Sequence, residues 1–576
     1  TFVTDNWNFF GDRQSLLAKL QITYDDESVQ TIVTSPQTWK TYADGPVRYG
    51  SFFQGEVYDA RKEKSIEGWA TAAYDDSEWL EAEEIKEGNF FPISNNYQLL
   101  ADMATPIMPI DTLTAKSMEE VRPGVYVYDL GQNMAGVPLL SFSSVKAGTE
   151  VKVRFAEVRY PDLPQYKEYV GMIMTENLRV AQSQDVYVTK GETEEVFSPR
   201  FTSHGFRYVE ITGVEKPLPM SDVRAIAISS MDGLRSHFET SNTDINRLWL
   251  NTVWSTRSNF MSVPTDCPQR NERLGWMGDI SVFGRSATFL TDASQFLRRY
   301  LVSVRDMQSD KGKFPDVAPT GCGFGGLLWG SAGITVPWEC YLQYGDKAML
   351  TEHYDAMKQY IKYVLSDCID PKTNVIVQQR QWGDLGDWLS LEDERNDKSL
   401  IWEAYFVFDL DIMTQVAKVL GKTDDEQWYA DLAKERRAFF AKTYVEPATG
   451  KTLFSAFDER RKGQQVDTQT SYVLPLAFNV VDETTAKKMA NNLKTAVERG
   501  NANYPSYSLL TGFIGTAWIN KALSDWGMSD VAYRLLAQDT FPSWLYPVKN
   551  GATTVWERLN SYTQKDGFGK NNSMNS

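Results

Sequence analysis

Histidine and cysteine are scarce in this chain: 576 residues include 3 His and 4 Cys. The cysteines stand at 267, 322, 340 and 368, with no C-x-x-C spacing, which argues against a Cys/His zinc site and against a disulfide scaffold. Long apolar runs are missing too. No stretch approaches the ~18 apolar residues that a membrane-spanning helix requires, so no membrane insertion is expected. Positive charge is in deficit, with 59 basic residues against 76 acidic ones and a net charge of −17. Such a field repels phosphate backbones and anionic lipid surfaces, which argues against nucleic acid and membrane surfaces as partners. P-loop, G-x-S-x-G and H-E-x-x-H motifs are absent. The chain opens Thr1-Phe2-Val3-Thr4, with neither an initiator Met nor a signal-peptide pattern, so a processed or trimmed chain is expected.

Apolar residues make up 42% and charged residues 23%, enough to bury a sizeable core and to exclude global disorder. The length predicts about three or four domains, or one large domain with appendages. The 17 Trp, 28 Tyr and 29 Phe are more rings than an average core needs. Most serve packing, but flat rings also stack on the apolar faces of ligands such as sugars.

The first ~235 residues read as β. Val151-Lys152-Val153-Arg154-Phe155 alternates with the period of a half-buried strand. Val186-Tyr187-Val188 and Arg207-Tyr208-Val209-Glu210-Ile211 are similar, with turn signals at Ala147-Gly148 and Lys190-Gly191. Short strands with frequent turns predict sandwiches, and the polar stretch 111–123 predicts a break between two modules. Beyond Phe238 the period becomes helical. Asp292 is placed to cap a helix with Phe296, Leu297, Tyr300, Leu301 and Val304 on one face. Residues 401–420, 425–441 and 485–497 also read as helices, among about twelve candidates between 243 and 540. A toroid of paired helices fits that count, as do other helical folds.

The densest chemistry runs from Pro264 to Asp279. Between Asp266 and Asp279, fourteen residues carry three carboxylates (Asp266, Glu272, Asp279), Arg270, Arg273 and Trp276. A helix over 272–279 would put Glu272, Trp276 and Asp279 on one face, whereas the prolines and glycines favour a loop entering a helix. Glycosidic hydrolysis needs one protonated carboxyl and a second carboxylate to activate water or attack. Carboxylates crowded beside an indole are one way to raise an acid's pKa for that task; a solvated charged loop is the bland alternative. Gly551-Ala552-Thr553-Thr554-Val555-Trp556-Glu557-Arg558 again sets a carboxylate beside Trp and Arg. Trp329, Trp338, Trp382 and Trp388 lie in Gly-rich or Pro-rich surroundings that suit loop platforms or packing at helix ends. Gly321 to Gly326 matches G-x-G-x-x-G, but a Pro-rich loop before it argues against a dinucleotide site.

Residues 266–279 and 551–558 resemble the signature segments of the α-L-rhamnosidases of glycoside hydrolase family 78. Glu56 to Arg61, Tyr128 to Asn133 and Pro199 to Tyr208 resemble the family's β domains. Pro315 to Pro319, Gly386-Asp387-Trp388 and Ser543 to Tyr546 resemble landmarks of its catalytic domain. The resemblance implies antiparallel β-sandwich modules over 1–115 and 116–235, then an all-α (α/α)6 barrel over 236–576. It implies an inverting exo-glycosidase that removes terminal α-L-rhamnose from glycosides or plant polysaccharides. Glu272 would be the general acid and Glu557 the general base. Asp266, Arg270, Trp276 and Asp279 would bind the sugar, with Trp329 and Trp388 as aromatic walls. No metal or other cofactor is implied, and a periplasmic or secreted location fits the family's habit.

Two departures stand out. Family members continue past residues 573–576 into a stretch with a sugar-contacting His, so a chain cut short before that stretch is expected. Asn271 stands where many members carry an acid, which would alter the field on Glu272. Two other functions are distinguishable by experiment: the same fold acting on another deoxy- or L-sugar, and a carbohydrate-binding protein without catalysis. Leaving-group preference is expected to lie in variable loops such as 162–178.

Overall fold

The computed structural model describes residues 15–85, 101–231, 233–321, 326–378 and 385–576. Within it, alternation builds the strands of the first part. In Glu150–Ala156 the residues Val151, Val153 and Phe155 are buried while Lys152 and Arg154 are half-exposed. The strands are β1 (Val47–Ser51), β2 (Gly55–Asp59), β3 (Met108–Thr114), β4 (Ser117–Arg122) and β5 (Val125–Ser143). They continue with β6 (Glu150–Ala156), β7 (Gln184–Val188), β8 (Glu194–Phe197), β9 (His204–Thr212) and β10 (Val223–Ser229). All ten join one sheet in the order β1-β2-β7-β6-β9-β5-β10-β3, with β4 and β8 also paired to β5.

The 19-residue β5 is the spine. Its first half pairs with β4 and β9, and its second half with β10 and β8. One strand thus serves both flanks around a core of Tyr128, Leu130, Phe142, Val153, Phe155 and Phe206. Strands from both sides of residue 115 share this sheet, because β2 runs parallel to β7 with Val57 opposite Val186. The stretch 111–123, expected to separate two modules, holds the end of β3 and all of β4. Both are largely exposed flanking strands, so their polar residues face water and read locally as a linker.

Fourteen α-helices follow among the described residues. They begin with α1 (Thr243–Asn259), α2 (Met277–Leu290), α3 (Ser294–Asp306), α4 (Leu327–Gly330), α5 (Ala332–Tyr344) and α6 (Lys347–Asp367). Next come α7 (Lys398–Leu420), α8 (Thr423–Tyr444), α9 (Gln469–Ala477) and α10 (Glu483–Arg499). The last are α11 (Phe513–Thr516), α12 (Ile519–Asp525), α13 (Ser529–Leu536) and α14 (Leu545–Lys549). The N-cap of α3 is Ala293 and not Asp292, whose Oδ1 accepts from the Ser294 amide at 3.2 Å one residue outside. The five apolar residues expected on one face of α3 are all buried. Helices 398–420, 423–444 and 483–499 extend the predicted spans by a few residues. The glycine-rich stretch 322–325 and Trp382, Gly383 and Asp384 lie outside the described residues.

Sequential helices pack as hairpins. Gly421, at φ 70°, ends α7 in the left-handed conformation, and its amide closes back on the Ala417 carbonyl before α8 begins. Helix α7 is buried over most of its length, as expected of a central helix that is apolar all round. Its one charged pair inside is Glu403 with Arg436 of α8, at 2.5 and 2.7 Å, the two side chains 0% and 1% exposed. Trp254 of α1 belongs to the sheet's core, which ties the helical part to the β part by apolar contact. No helix among the described residues is long and apolar enough to cross a membrane.

Removing one partner of a buried pair leaves a charge without compensation, at a cost of about 3–5 kcal/mol. Arg436→Met is therefore expected to lower the unfolding free energy of the helical part by that amount in urea denaturation, and Glu403→Leu added to it is expected to restore most of the loss.

Candidate active site

Residues 264–279 form a loop entering a helix. Val263-Pro264 and Gly275-Trp276 are short extended pieces, the residues between them are buried loop, and Met277 opens α2. Gly275 has no room for a side chain, since a Cβ would come to 2.3 Å of the Ala318 carbonyl oxygen. Glu272 therefore sits in the loop, Trp276 caps α2, and Asp279 lies in its first turn. Asp266 Oδ1 accepts the Leu274 amide at 2.8 Å and closes the loop on itself.

Arg270 is the hub. Its guanidinium, 5% exposed, meets Glu557 Oε2 at 2.9 Å, Glu272 Oε2 at 3.1 Å and Asp266 Oδ2 at 3.4 Å. Nη1 also donates to the Asn571 carbonyl at 3.2 Å. Burial works against this charge, and Cys267, Glu557, Glu272 and Asp266 more than offset it, holding the guanidinium protonated. The ligand atoms of Asp266, Cys267 and Glu272 lie within 4.8 Å of one another, a spacing that suits a metal ion, but the cation in their midst is the Arg270 guanidinium.

Glu272 is held on both oxygens. Oε1 accepts the Trp276 indole N–H at 3.0 Å, and Oε2 meets Arg270 and also Arg179 Nη1 at 2.5 Å. Glu557 enters from the loop after α14. Its Oε2 also accepts the Ser573 amide at 2.8 Å, while Oε1 accepts no hydrogen bond among the described residues. Its segment is tied to the β module: the Asn133 amide donates to Thr553 Oγ1 at 2.9 Å, and the Met574 amide to Glu157 Oε2 at 3.0 Å. Burial pushes the Glu157 carboxyl up to about 7.

Burial, followed by the charge of Glu272, drives the Asp266 carboxyl well above the carboxylate range. Asp279 is pushed up to about 7 by burial, with Glu272 and Glu557 adding to it. A cavity of about 520 Å³ is lined by Asp266, Asp279 and Glu557 together with Phe283, Phe513 and Trp544. The structure thus brings Asp266, Arg270, Glu272, Trp276 and Glu557 into one connected set, with Asp279 at the edge of the same cavity. Trp329 packs on Gly278, where a Cβ would lie 2.3 Å from the indole, and is itself buried. Trp388 stands farther round, above Gly512 and Phe513, whose amide donates to its carbonyl at 2.9 Å. Asp387 holds that turn, accepting from the Gly512 and Gly515 amides at 2.8 and 2.9 Å. Asn271 is buried, and its side-chain amide has no hydrogen-bond partner among the described residues.

Sequence reasoning missed Arg179, Glu157, Asn571 and Ser573. Arg179 carries the one local signal, visible only in the backbone: φ 60° with ψ −116°, outside the left-handed basin open to L-residues. Holding such a conformation costs on the order of 1–3 kcal/mol and needs firm support from its surroundings.

The family model for the bacterial alpha-L-rhamnosidase 6 hairpin glycosidase domain matches residues 234–576. Models for the concanavalin-like domain and the N-terminal domain of the same enzymes match 119–229 and 1–110. The chain belongs to the bacterial α-L-rhamnosidase family, with β-rich modules followed by the six-hairpin helical domain. An α-L-rhamnosidase of Streptomyces avermitilis is 39% identical over 561 residues, covering 97% of this chain and 50% of the relative. One from Formosa agariphila is 34% identical, covering 99% and 58%. The crystal structure of the Streptomyces avermitilis enzyme complexed with L-rhamnose superposes with a TM-score of 0.85 at 38% identity, over 97% of this chain and 50% of that one. Native α-L-rhamnosidase from Aspergillus terreus gives 0.83 at 31% identity, over 97% and 62%. The chain spans about half the length of the curated relatives it matches.

Asp279 generates a pH prediction. The folded state keeps its proton up to about pH 7, whereas the ordinary carboxyl value is 3.8. Between those values the unfolded chain binds fewer protons, so this group's contribution to stability is full below about pH 4 and is lost as pH rises through about 7. Asp279→Asn removes the titration, and the fall in stability from pH 4 to 8 is expected to shrink by up to about 4 kcal/mol in urea denaturation. Equal pH slopes in the two proteins would mean that folded Asp279 is already ionised.

Proposed function

We propose that this protein hydrolyses terminal non-reducing α-L-rhamnose with inversion at the anomeric carbon. The observation that carries the reading is the convergence of Glu272 and Glu557 on one guanidinium, although 287 residues separate Arg270 from Glu557. A six-hairpin glycosidase domain and relatives named α-L-rhamnosidase support the substrate class.

In this mechanism Glu272 gives its proton to the glycosidic oxygen as the bond from that oxygen to the anomeric carbon breaks. A water attacks the opposite face of the sugar and passes a proton to Glu557. The known grip on Glu557 involves Oε2, so Oε1 is the oxygen available to that water. Asp279, whose carboxyl is pushed up to about 7 by burial, faces the sugar from the cavity wall and offers a hydroxyl donor on the acid side of that value. Arg270 and Asp266 hold the acid–base pair in register, Trp276 steadies the acid, and the cavity's own rings, Phe283, Phe513 and Trp544, offer apolar faces to the sugar. The expected aromatic walls Trp329 and Trp388 do not line it, and Trp329 is buried against Gly278. Inversion requires the two carboxyl groups to stand roughly 6.5–9.5 Å apart with the water between them.

Proton NMR of an aryl α-L-rhamnoside during turnover is expected to show β-L-rhamnose first, with the α-anomer growing in later. Prior appearance of the α-anomer would overturn the acid–water–base assignment. Glu272→Gln and Glu557→Gln are each expected to lower kcat by about 10²–10⁴ while the circular dichroism spectrum is preserved. A panel of aryl glycosides, ranked by kcat/KM, tests rhamnose against other deoxy- and L-sugars. Binding without release of any sugar would point instead to a carbohydrate-binding protein.

A further inference from the structure

We propose that Arg179, supplied by the β module, is a positioning residue that stabilises the charge left on Glu272 once its proton has gone to the leaving group. This inference rests on Glu272 acting as the general acid.

Arg270 cannot do this work selectively, because the same guanidinium grips Glu557 and Asp266. Arg179 contacts the acid without touching the base. Its Nη1 lies 2.5 Å from Glu272 Oε2, and its Nε donates to Asn571 Oδ1 at 2.7 Å, which fixes the plane of the fork. The side chain is 21% exposed, so water screens this ion pair only in part.

The backbone shows that the placement is imposed. Arg179 holds φ 60° and ψ −116° at the end of a 3-10 turn, Glu176–Leu178. The turn is clamped on every side: Asn177 Nδ2 donates to Glu157 Oε2 at 2.9 Å and to the Asn572 carbonyl at 3.3 Å. Tyr160 donates to Glu176 Oε1 at 2.5 Å, and Leu178 is fully buried. A strained residue at the edge of a catalytic cluster, with every neighbour holding it there, is the pattern of stored strain that serves a site.

Donation of the proton turns neutral Glu272 into a carboxylate. A cation already aimed at Oε2 costs no reorganisation at that moment, so it stabilises the transition state more than the ground state. The gain grows with the extent of proton transfer. It is large for a phenyl leaving group and small for 2,4-dinitrophenyl, which departs with little protonation.

The test compares Arg179→Gln, Arg179→Lys and Glu272→Gln on phenyl and 2,4-dinitrophenyl α-L-rhamnosides. Arg179→Gln is expected to lower kcat about 10–100-fold on the phenyl substrate with little change in KM, and less than about threefold on the dinitrophenyl one. Arg179→Lys is expected to recover part of the loss. The alkaline limb of the pH profile is expected to move to higher pH in Arg179→Gln, because a departing cation no longer favours proton release. If Arg179→Gln folds poorly, Asn571→Ala frees the same side chain from its second anchor, and a weaker loss with the same leaving-group dependence is expected. Equal losses on both substrates, or an unmoved alkaline limb, would reduce Arg179 to a structural residue and overturn the proposal. If Glu272→Gln itself loses as much on the dinitrophenyl substrate as on the phenyl one, the assignment of the acid falls first.

Discussion

The Arg270 guanidinium is nearly buried, and a charge taken out of water is tolerable only when partners surround it. Here the partners come from three places: Asp266 and Glu272 from its own loop, Glu557 from the loop after α14, and the Asn571 carbonyl beyond it. The buried cation therefore fixes where distant segments must come together. It also draws together three carboxyl groups, because Asp266, Glu272 and Glu557 all contact the one guanidinium. Such an arrangement is demanding in both directions: loss of the cation would strand the acids, and loss of an acid would strand the cation.

The β module is built into this arrangement. Gly205 of β9 passes so near Gln269 that a Cβ would stand 2.8 Å from the Gln269 amide nitrogen, so the signature loop lies directly on the sheet. Arg273 donates to the Ser203 and Phe52 carbonyls at 2.8 and 2.9 Å, fastening the loop's far side to two strand connections. Glu157, at the end of β6, receives the Asn133, Asn177 and Met574 donors at once. The sheet thus backs the loop that carries Arg270 and Glu272, and the cavity itself is lined from the helical part.

What was legible in the sequence was what repeats locally. The alternation of Val151, Val153 and Phe155 gave β6, and the spacing of Phe296, Leu297, Tyr300, Leu301 and Val304 gave α3. The crowding of unlike charges around Trp276 left a solvated loop equally open, and it was the resemblance of residues 266–279 to a family signature that singled the segment out. Partners fixed by three-dimensional closure left no local trace. Arg179 sits in an unremarkable polar stretch, and its importance comes from a backbone conformation and from Glu272, 93 residues away. The 111–123 stretch is where the matches to the N-terminal and concanavalin-like domain models meet, and what its composition did not show is that its exposed strands pair with β5 and β10. Trp388 owes its place to Asp387, whose partners at Gly512 and Gly515 lie more than a hundred residues downstream.

The bond from the Asn133 amide to Thr553 joins residues 420 positions apart. At about 5–20 residues per second of synthesis, roughly 20–80 s pass between the emergence of the first partner and that of the second. Over that interval Asn133 and Glu157 can meet each other but lack the Thr553 and Met574 partners of the folded protein. Arg270 emerges 287 residues before Glu557, so the cation of the cluster is made well before one of the carboxylates that compensate it. The cluster around Arg270 is accordingly incomplete until residues 557 and 571 have been made, and timing, as much as geometry, governs when its buried charge is balanced.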